Sequence, residues 1–329
     1  MSFILRRLVF YIVAAWVALT VNFFIPRAMP GNAVQSIMAK FPGSLPPSAQ
    51  KALEAMLGIG HPGSIWHQYG SYLDHVFHLN FGTDVTQYPA QVSTLLAETI
   101  PWTLTLVGTA TVIAFVVGTG LGIVAGWRHG GALDRLLPGL MFLQAIPYFF
   151  FALILLELFA SKLHVFPLGQ GYAEGLVPGW HADFIGSAIY HSLLPALTIV
   201  LTSIAGWMLQ MRNVMITTVG EDYVIAAQAK GLPRRRVIFT YAARNALLPQ
   251  LQGFALALGF VVSGALIMEI VFSYPGIGEL LLTAVTSEDY PLMQAIFLVI
   301  TFAVLLANMI VDVIIVLSDP RARAREATR

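Results

Sequence analysis

Six apolar stretches dominate this chain, at residues 8–25, 102–127, 136–161, 188–211, 246–271 and 293–317. Each is near or beyond the roughly 20 residues that a helix needs to cross a bilayer. Inside hydrocarbon no water is available to an unpaired N–H or C=O, so a spanning segment is either a helix or part of a closed barrel. The short alternating segments of a barrel are absent. Only 11% of the 329 residues are charged and 57% are hydrophobic, whereas soluble domains carry about a quarter charged residues. The expected fold class is an all-α polytopic membrane protein with six transmembrane helices.

The first stretch follows Arg6 and Arg7 and resembles a signal peptide in outline. Its apolar core is longer than a usual h-region and no A-x-A-like site follows, so it reads as a retained span. The chain has no cysteine, which removes disulfides, thiolate metal sites and cysteine nucleophiles and leaves the redox compartment open. Counting Lys and Arg orients the spans. With the N-terminus inside, fourteen of the 18 basic residues fall on inner segments, and only Arg27, Lys40, Lys51 and Lys162 fall outside. Both termini are therefore expected in the cytoplasm, and the formal net charge of +1 hides the asymmetry.

The polar intervals differ in kind. Residues 26–100 form a long outer segment, within which 48–57 reads as a short amphipathic helix. Residues 128–135 make a tight inner turn, and 162–190 an outer loop rich in Gly and aromatics. Residues 273–291 open with "SYPGIG", whose Pro and two Gly force a sharp break. Gly118, Gly122 and Gly126 recur every fourth residue in the second span, which places all three on one face where another helix backbone can approach closely. Pro147, Pro195 and Pro249 lie in or at the ends of spans, where bends can shape a pathway.

Catalytic signatures are missing: there is no GxSxG, no HExxH and no GxxxxGK[ST], so any ATP hydrolysis has to come from another chain. His61, His67, His75 and His78 gather on the outer side, where they read as solvated loop residues rather than metal ligands. Glu157, Glu269 and Asp312 sit inside apolar spans. Such groups usually face a bundle interior or water, and a structural role fits each as well as a transport role does.

One polar interval is unusually patterned: "EDYVIAAQAKGLPRRRVIFTYAARNALLP", from Glu221 to Pro249. Thr218 and Glu221 have capping-box spacing, Gly231 supplies a helix stop, and Pro233 suits the first turn of the next helix. Ala226, Ala227 and Ala229 keep the first helix slim, with Tyr223, Val224 and Ile225 as apolar handles. Such a helix could plug another protein's groove or lie on lipid.

This interval resembles the cytoplasmic signature loop of ABC-importer permeases, in particular the B-type subunit of the dipeptide/oligopeptide/nickel branch. The likeness continues in "LRRL" before span one, "PGNAV" after it and "NFGTDV" before span two. It goes on through "RNALLPQL" entering span five, "EIVFSYPGIGELL" after it, "EDYPLMQA" entering span six and "DPRAR" near the end. In the wider superfamily the loop begins Glu-Ala-Ala. Here Ile225, Ala226 and Ala227 stand at those positions, so the acidic residue is missing while Gly231 is present.

The resemblance implies a type I ABC-importer permease fold that forms half of a pore in a bacterial or archaeal cell membrane. It also implies a second permease subunit, two ATPase subunits that use ATP and Mg, and an extracytoplasmic solute-binding protein. This chain itself would bind no cofactor or metal and would not be an enzyme. The implied organisation is a first span within 1–27, an extracytoplasmic segment 28–99, a five-helix core 100–317 with a coupling loop at 212–248, and a basic tail 318–329. The coupling helix would comprise Tyr223, Val224, Ile225, Ala226, Ala227, Gln228, Ala229, Lys230, Gly231 and Leu232. Glu269, Tyr274, Pro275 and Gly276 are candidates for an outer gate. The branch takes up peptides, and similar permeases serve oligosaccharides. An ion-coupled secondary carrier is a rival of another class, but it would show repeated spans and has no use for an ATPase-docking loop.

Overall fold

The computed structural model describes residues 3–28, 64–84, 89–259, 261 and 265–318. The expected helix at 48–57, Lys40, Lys51, His61 and the tail beyond residue 318 lie outside them. Among the described residues the structure is helical, with one isolated bridge between Thr83 and Gln91. The helices are α1 (Phe3–Ala28), α2 (Ile65–Phe77), α3 (Val92–Trp127), α4 (Ala132–Ala145), α5 (Tyr148–Leu155) and α6 (Ala182–Val219). They are followed by α7 (Asp222–Ala229), α8 (Arg234–Arg236), α9 (Arg244–Gly259), α10 (Leu266–Val271), α11 (Ile277–Thr286) and α12 (Tyr290–Ser318). A π-helical turn, Leu156–Lys162, extends α5, and another, Val237–Ala243, joins α8 to α9.

Four helices, α1, α3, α6 and α12, are each long and apolar enough to cross a membrane. The third predicted stretch is bent by 97° between α4 and α5 and makes a fifth span if counted as one. The fifth predicted stretch is divided between α9 and α10, neither long enough alone. The cause of the 97° bend is local. Pro147 has no N–H to continue a helix and forces its predecessor out of the helical region, and Ile146 is extended, with φ −74° and ψ 126°. Pro195 and Pro249, by contrast, lie inside continuous helices.

Helices α3 and α6 form the most extensive pair in the bundle. They run parallel, because Gly118 meets Ile204 and Trp207, Gly122 meets Met208 and Met211, and Gly126 meets Arg212 and Met215. A Cβ on Gly122 would lie 2.6 Å from both the Met208 carbonyl oxygen and the Met211 Cβ, and one on Gly126 would lie 2.5 Å from the Met215 Cβ. Without hydrophobic drive between helices in lipid, such backbone proximity is what van der Waals packing needs.

Helix α1 is fastened to α12 at both ends. Arg7 pairs with Asp312 at 2.8 Å, and the Tyr11 hydroxyl donates to the same carboxylate at 2.6 Å. Farther along, Asn22 donates to the Gln294 carbonyl at 3.0 Å and the Gln294 amide donates back to the Asn22 carbonyl at 2.9 Å. Its outward face (Phe10, Val13, Trp16, Val17) is exposed, as a lipid-facing surface would be. Asp312 is therefore a paired structural acid. Glu157 is exposed, with Lys162 3.6 Å away.

Candidate functional site

Three sites are built on this frame: the basic loop after α6, the chain reversal after α10, and a cavity at the α4–α5 bend.

At the loop, α6 runs on through Thr218 to Val219, and Thr218 Oγ1 donates to the Val214 carbonyl at 2.7 Å. The expected Thr218–Glu221 capping box is thus not made: α6 keeps the threonine, and Glu221 stands at the N-cap of α7 without a side-chain cap. The stop is as expected. Gly231 has φ +69°, a conformation open to glycine at little cost. Leu232 N–H reaches the Ala227 carbonyl (3.4 Å) and Gly231 N–H the Gln228 carbonyl (2.9 Å), the paired bonds of a Schellman stop. Pro233 precedes α8 as its N-cap, one position earlier than a first-turn proline.

The apolar handles divide. Val224 and Ala227 are buried in a cluster with Met211, Met215, Val237, Ala243 and Ala246, whereas Tyr223 and Ile225 are 40% and 51% exposed. Ala226, Gln228, Ala229, Lys230 and Gly231 are also exposed. One side of α7 is a root in the bundle, and the other is open. Two further ties hold the loop. Arg212 grips Asp134 through Nε (2.7 Å) and Nη2 (3.1 Å), and the Arg234 guanidinium lies 5.7 Å above the Trp127 ring.

The reversal is a different construction. Glu269 is fully buried, and its carboxylate accepts from Gly278 N–H at 2.6 Å. Thr103 of α3 accepts from Ile277 N–H at 2.9 Å. Together they supply the first turn of α11 with acceptors, which a helix N-terminus lacks within itself. Gly276 leaves room for the carboxylate, since a Cβ there would collide with it. The Tyr274 hydroxyl lies 3.0 Å from Ser192 Oγ, and burial pushes its phenol above the ordinary value. The 162–190 loop closes over the turn: Gln170 N–H bonds the Phe272 carbonyl at 3.0 Å, and a Cβ on Gly171 would lie 2.6 Å from the Pro275 ring. Thr103 and Ser192 carry no local signal in the sequence, because their partners are 174 and 82 positions away.

Between these ends lies a cavity of ≈ 440 Å³. Its polar lining comes from Thr111 of α3, Gln144 of α4, Tyr148 of α5, and Thr202 and Ser203 of α6, beside the Ile146–Pro147 bend. None of its lining residues is ionisable at neutral pH. Among the described residues no group of three or more His, Asp or Glu could hold a metal ion. His75 and His78 lie in and just after α2, with His78 Nδ1 2.8 Å from the Asp74 carbonyl oxygen.

A multi-pass helical bundle with a chargeless cavity among its spans and a small helix displayed at one end has the make-up of a membrane transport component. The chain belongs to the family described as binding-protein-dependent transport system inner membrane component, which it matches over residues 118–324. It is 31% identical over 341 residues to the di/tripeptide transport system permease protein DppB of Pseudomonas aeruginosa, covering 98% of this chain and 99% of the relative. It is 29% identical over 325 residues to the oligopeptide transport system permease protein AppB of Bacillus subtilis, covering 97% and 98%. To the oligopeptide transport system permease protein OppB of Escherichia coli it is 31% identical over 326 residues, covering 98% and 99%. The ABC-permease resemblance of the signature loop and its flanking motifs agrees with all three.

Proposed function

We propose that this chain is one half of the pore of an ATP-driven importer of short peptides. The observation that carries the reading is the end-to-end likeness to relatives named for di/tripeptide and oligopeptide transport, at 98% coverage of this chain. The other half would come from a second, non-identical permease. A solute-binding protein would deliver the peptide from outside, and two ATPase subunits, using ATP and Mg, would drive the cycle. The protein would sit in a bacterial or archaeal inner membrane with both termini in the cytoplasm, in keeping with the distribution of Lys and Arg.

In this reading α7 is the coupling helix. Its rooted side, Val224 and Ala227, stays with the permease, and its open side, from Tyr223 and Ile225 through Gln228 and Lys230, enters the ATPase groove. Glu269 and the Tyr274–Pro275–Gly276 reversal hold the outer closure. Gly118, Gly122 and Gly126 keep the α3–α6 pair tight while the ends move.

The test is ATP-dependent uptake by the complete complex in proteoliposomes, with a peptide panel and an oligosaccharide panel. Peptide uptake is expected, and exclusive oligosaccharide uptake would sink the substrate reading. Single cysteines replacing Ala226 and Gln228 should crosslink to the ATPase subunit. Crosslinks to lipid-facing probes alone would make α7 a membrane-surface helix.

A further inference from the structure

We infer that the cavity at the Ile146–Pro147 bend is a subsite for the uncharged main-chain amides of the transported peptide. The inference rests on the proposed peptide-import function and adds where, and through which groups, the substrate is held.

Hydroxyls in the wall of this cavity are left over. Serine and threonine in membrane helices ordinarily satisfy themselves on a carbonyl one turn back. Thr109, Thr198 and Thr202 do so, bonding Thr105, Leu194 and Thr198 respectively. Thr111 and Ser203 line the cavity and do not. Neither they, the Gln144 carboxamide nor the Tyr148 hydroxyl make a hydrogen bond among the described residues. Thr111 and Ser203 lie near the middle of their apolar stretches, at a depth where an unsatisfied polar group is costly. Four groups without a partner around one open space, Gln144 exposed and the other three half-buried, are the complement of something that enters it.

The lining states what that is. With no ionisable side chain present, the space offers no opposite charge to a carboxylate or an ammonium, and a charged terminus would lose hydration there that neutral groups replace only in part. A carboxamide donates and accepts at once, and a hydroxyl takes either role, which matches the N–H and C=O of a peptide group. Ile199, Val261 and Met268 supply an apolar wall, and methionine adapts to differing shapes, so side chains of varied size are accommodated. At ≈ 440 Å³ the space falls within the roughly 300–1,000 Å³ of small-molecule sites. A Cβ on Gly206 would come within 3.0 Å of the Gln144 Nε2, so the glycine lets that amide lie flat against α6.

The experiment uses the complete complex in proteoliposomes, with trialanine as the probe. Gln144→Leu preserves bulk and removes the amide, and Thr111→Val removes a hydroxyl. Thr109→Val is the control, because that hydroxyl is bonded within its own helix. Initial uptake at subsaturating trialanine should fall about tenfold for Gln144→Leu and severalfold for Thr111→Val. Basal ATPase and binding-protein docking should be unchanged, and Thr109→Val should match the parent. Because the chain has no cysteine, Ser203→Cys introduces its sole thiol, and labelling by a methanethiosulfonate should be slowed by trialanine with its binding protein. Parental uptake in both cavity variants overturns the subsite while leaving the peptide function standing. A Ser203→Cys thiol that trialanine does not protect, or that is unreactive throughout because protein fills the space, overturns it likewise. A parent complex that imports another solute but neither trialanine nor any other peptide overturns the proposed function, and the inference with it.

Discussion

The reversal after α10 and the loop after α6 are both short turns between helices, yet they are held by opposite means. At the reversal the contacts are polar, buried and made within one chain: Glu269 and Thr103 serve the N–H groups of α11, and Tyr274 meets Ser192. At the loop the Arg212–Asp134 pair and Arg234 over Trp127 flank the turn, but α7 itself is held by small apolar contacts on one side only, through Val224 and Ala227. A buried polar lock tolerates little movement, because each broken bond leaves a desolvated group behind. A slim helix rooted by two small residues keeps its outer side available. The first construction fixes a shape, and the second presents one.

Substitutions at four places test that contrast, ordered by their expected effect on stability. Gly122→Leu is the most severe and concerns the frame both regions share. Its side chain would drive into the Met208 carbonyl and Met211, for a loss of about 3 kcal/mol, the upper part of the usual overpacking range. Thermal unfolding in detergent at the parental temperature would remove the close α3–α6 contact as a constraint.

Glu269→Ala strips the lock of its acceptor and leaves Gly278 N–H buried without one, a loss of about 2 kcal/mol. Glu269→Gln keeps an acceptor and should lose less. Equal losses in the two variants would show that the charge, rather than the acceptor, holds the turn.

Gly231→Val acts on the backbone alone, since a Cβ there meets no atom within 4 Å. At φ +69° the strain should be about 1–2 kcal/mol, accompanied by weakened ATPase retention. Gly231→Asn, which tolerates that conformation better, should recover most of both. If Asn and Val behave alike, bulk at the docking surface matters more than the turn.

The smallest stability change belongs to Tyr223→Ser combined with Ile225→Ser. Both side chains are exposed, so unfolding should shift by no more than about 0.5 kcal/mol, while ATP-driven uptake is lost. Val224→Ser, on the rooted side, should do the reverse and destabilise the bundle first. Retained uptake in the Tyr223/Ile225 variant would end the assignment of that face to the ATPase.

How much of this could be read beforehand depended on the range over which each feature is determined. Hydropathy is a property of the residues themselves, so the apolar stretches were legible, and so were the glycine register on α3 and the stop at Gly231. The facing of α7 was not. With three alanines in eight residues its sides differ little in character, and only contact with Met211, Met215 and Val237 decides that Val224 turns inward. The spacing of Thr218 and Glu221 suggested a cap, but α6 extends far enough to claim the threonine. An acid beside a forced reversal drew attention to Glu269. That it serves the amide of Gly278 depends on how the chain returns, and that Thr103 serves the next one depends on a helix 174 positions earlier.

The glycine register has a mechanical consequence. At 1.5 Å per residue α3 is about 54 Å long, and its glycine contacts with α6 fall within the roughly 12 Å between residues 118 and 126. That clamp lies near the end that leads into α7, leaving about 39 Å of α3 on the far side of it. Two rods clamped near one end and tied again at the other, where Trp102 meets Phe184 and Leu106 shares a cluster with Leu194, turn as one lever: a tilt of about 5° at the clamp carries the far end by about 3 Å over that length. A small tilt at the α7 end would thus carry the reversal after α10, bonded to Thr103 of α3 and Ser192 of α6, as one piece by the width of a water molecule.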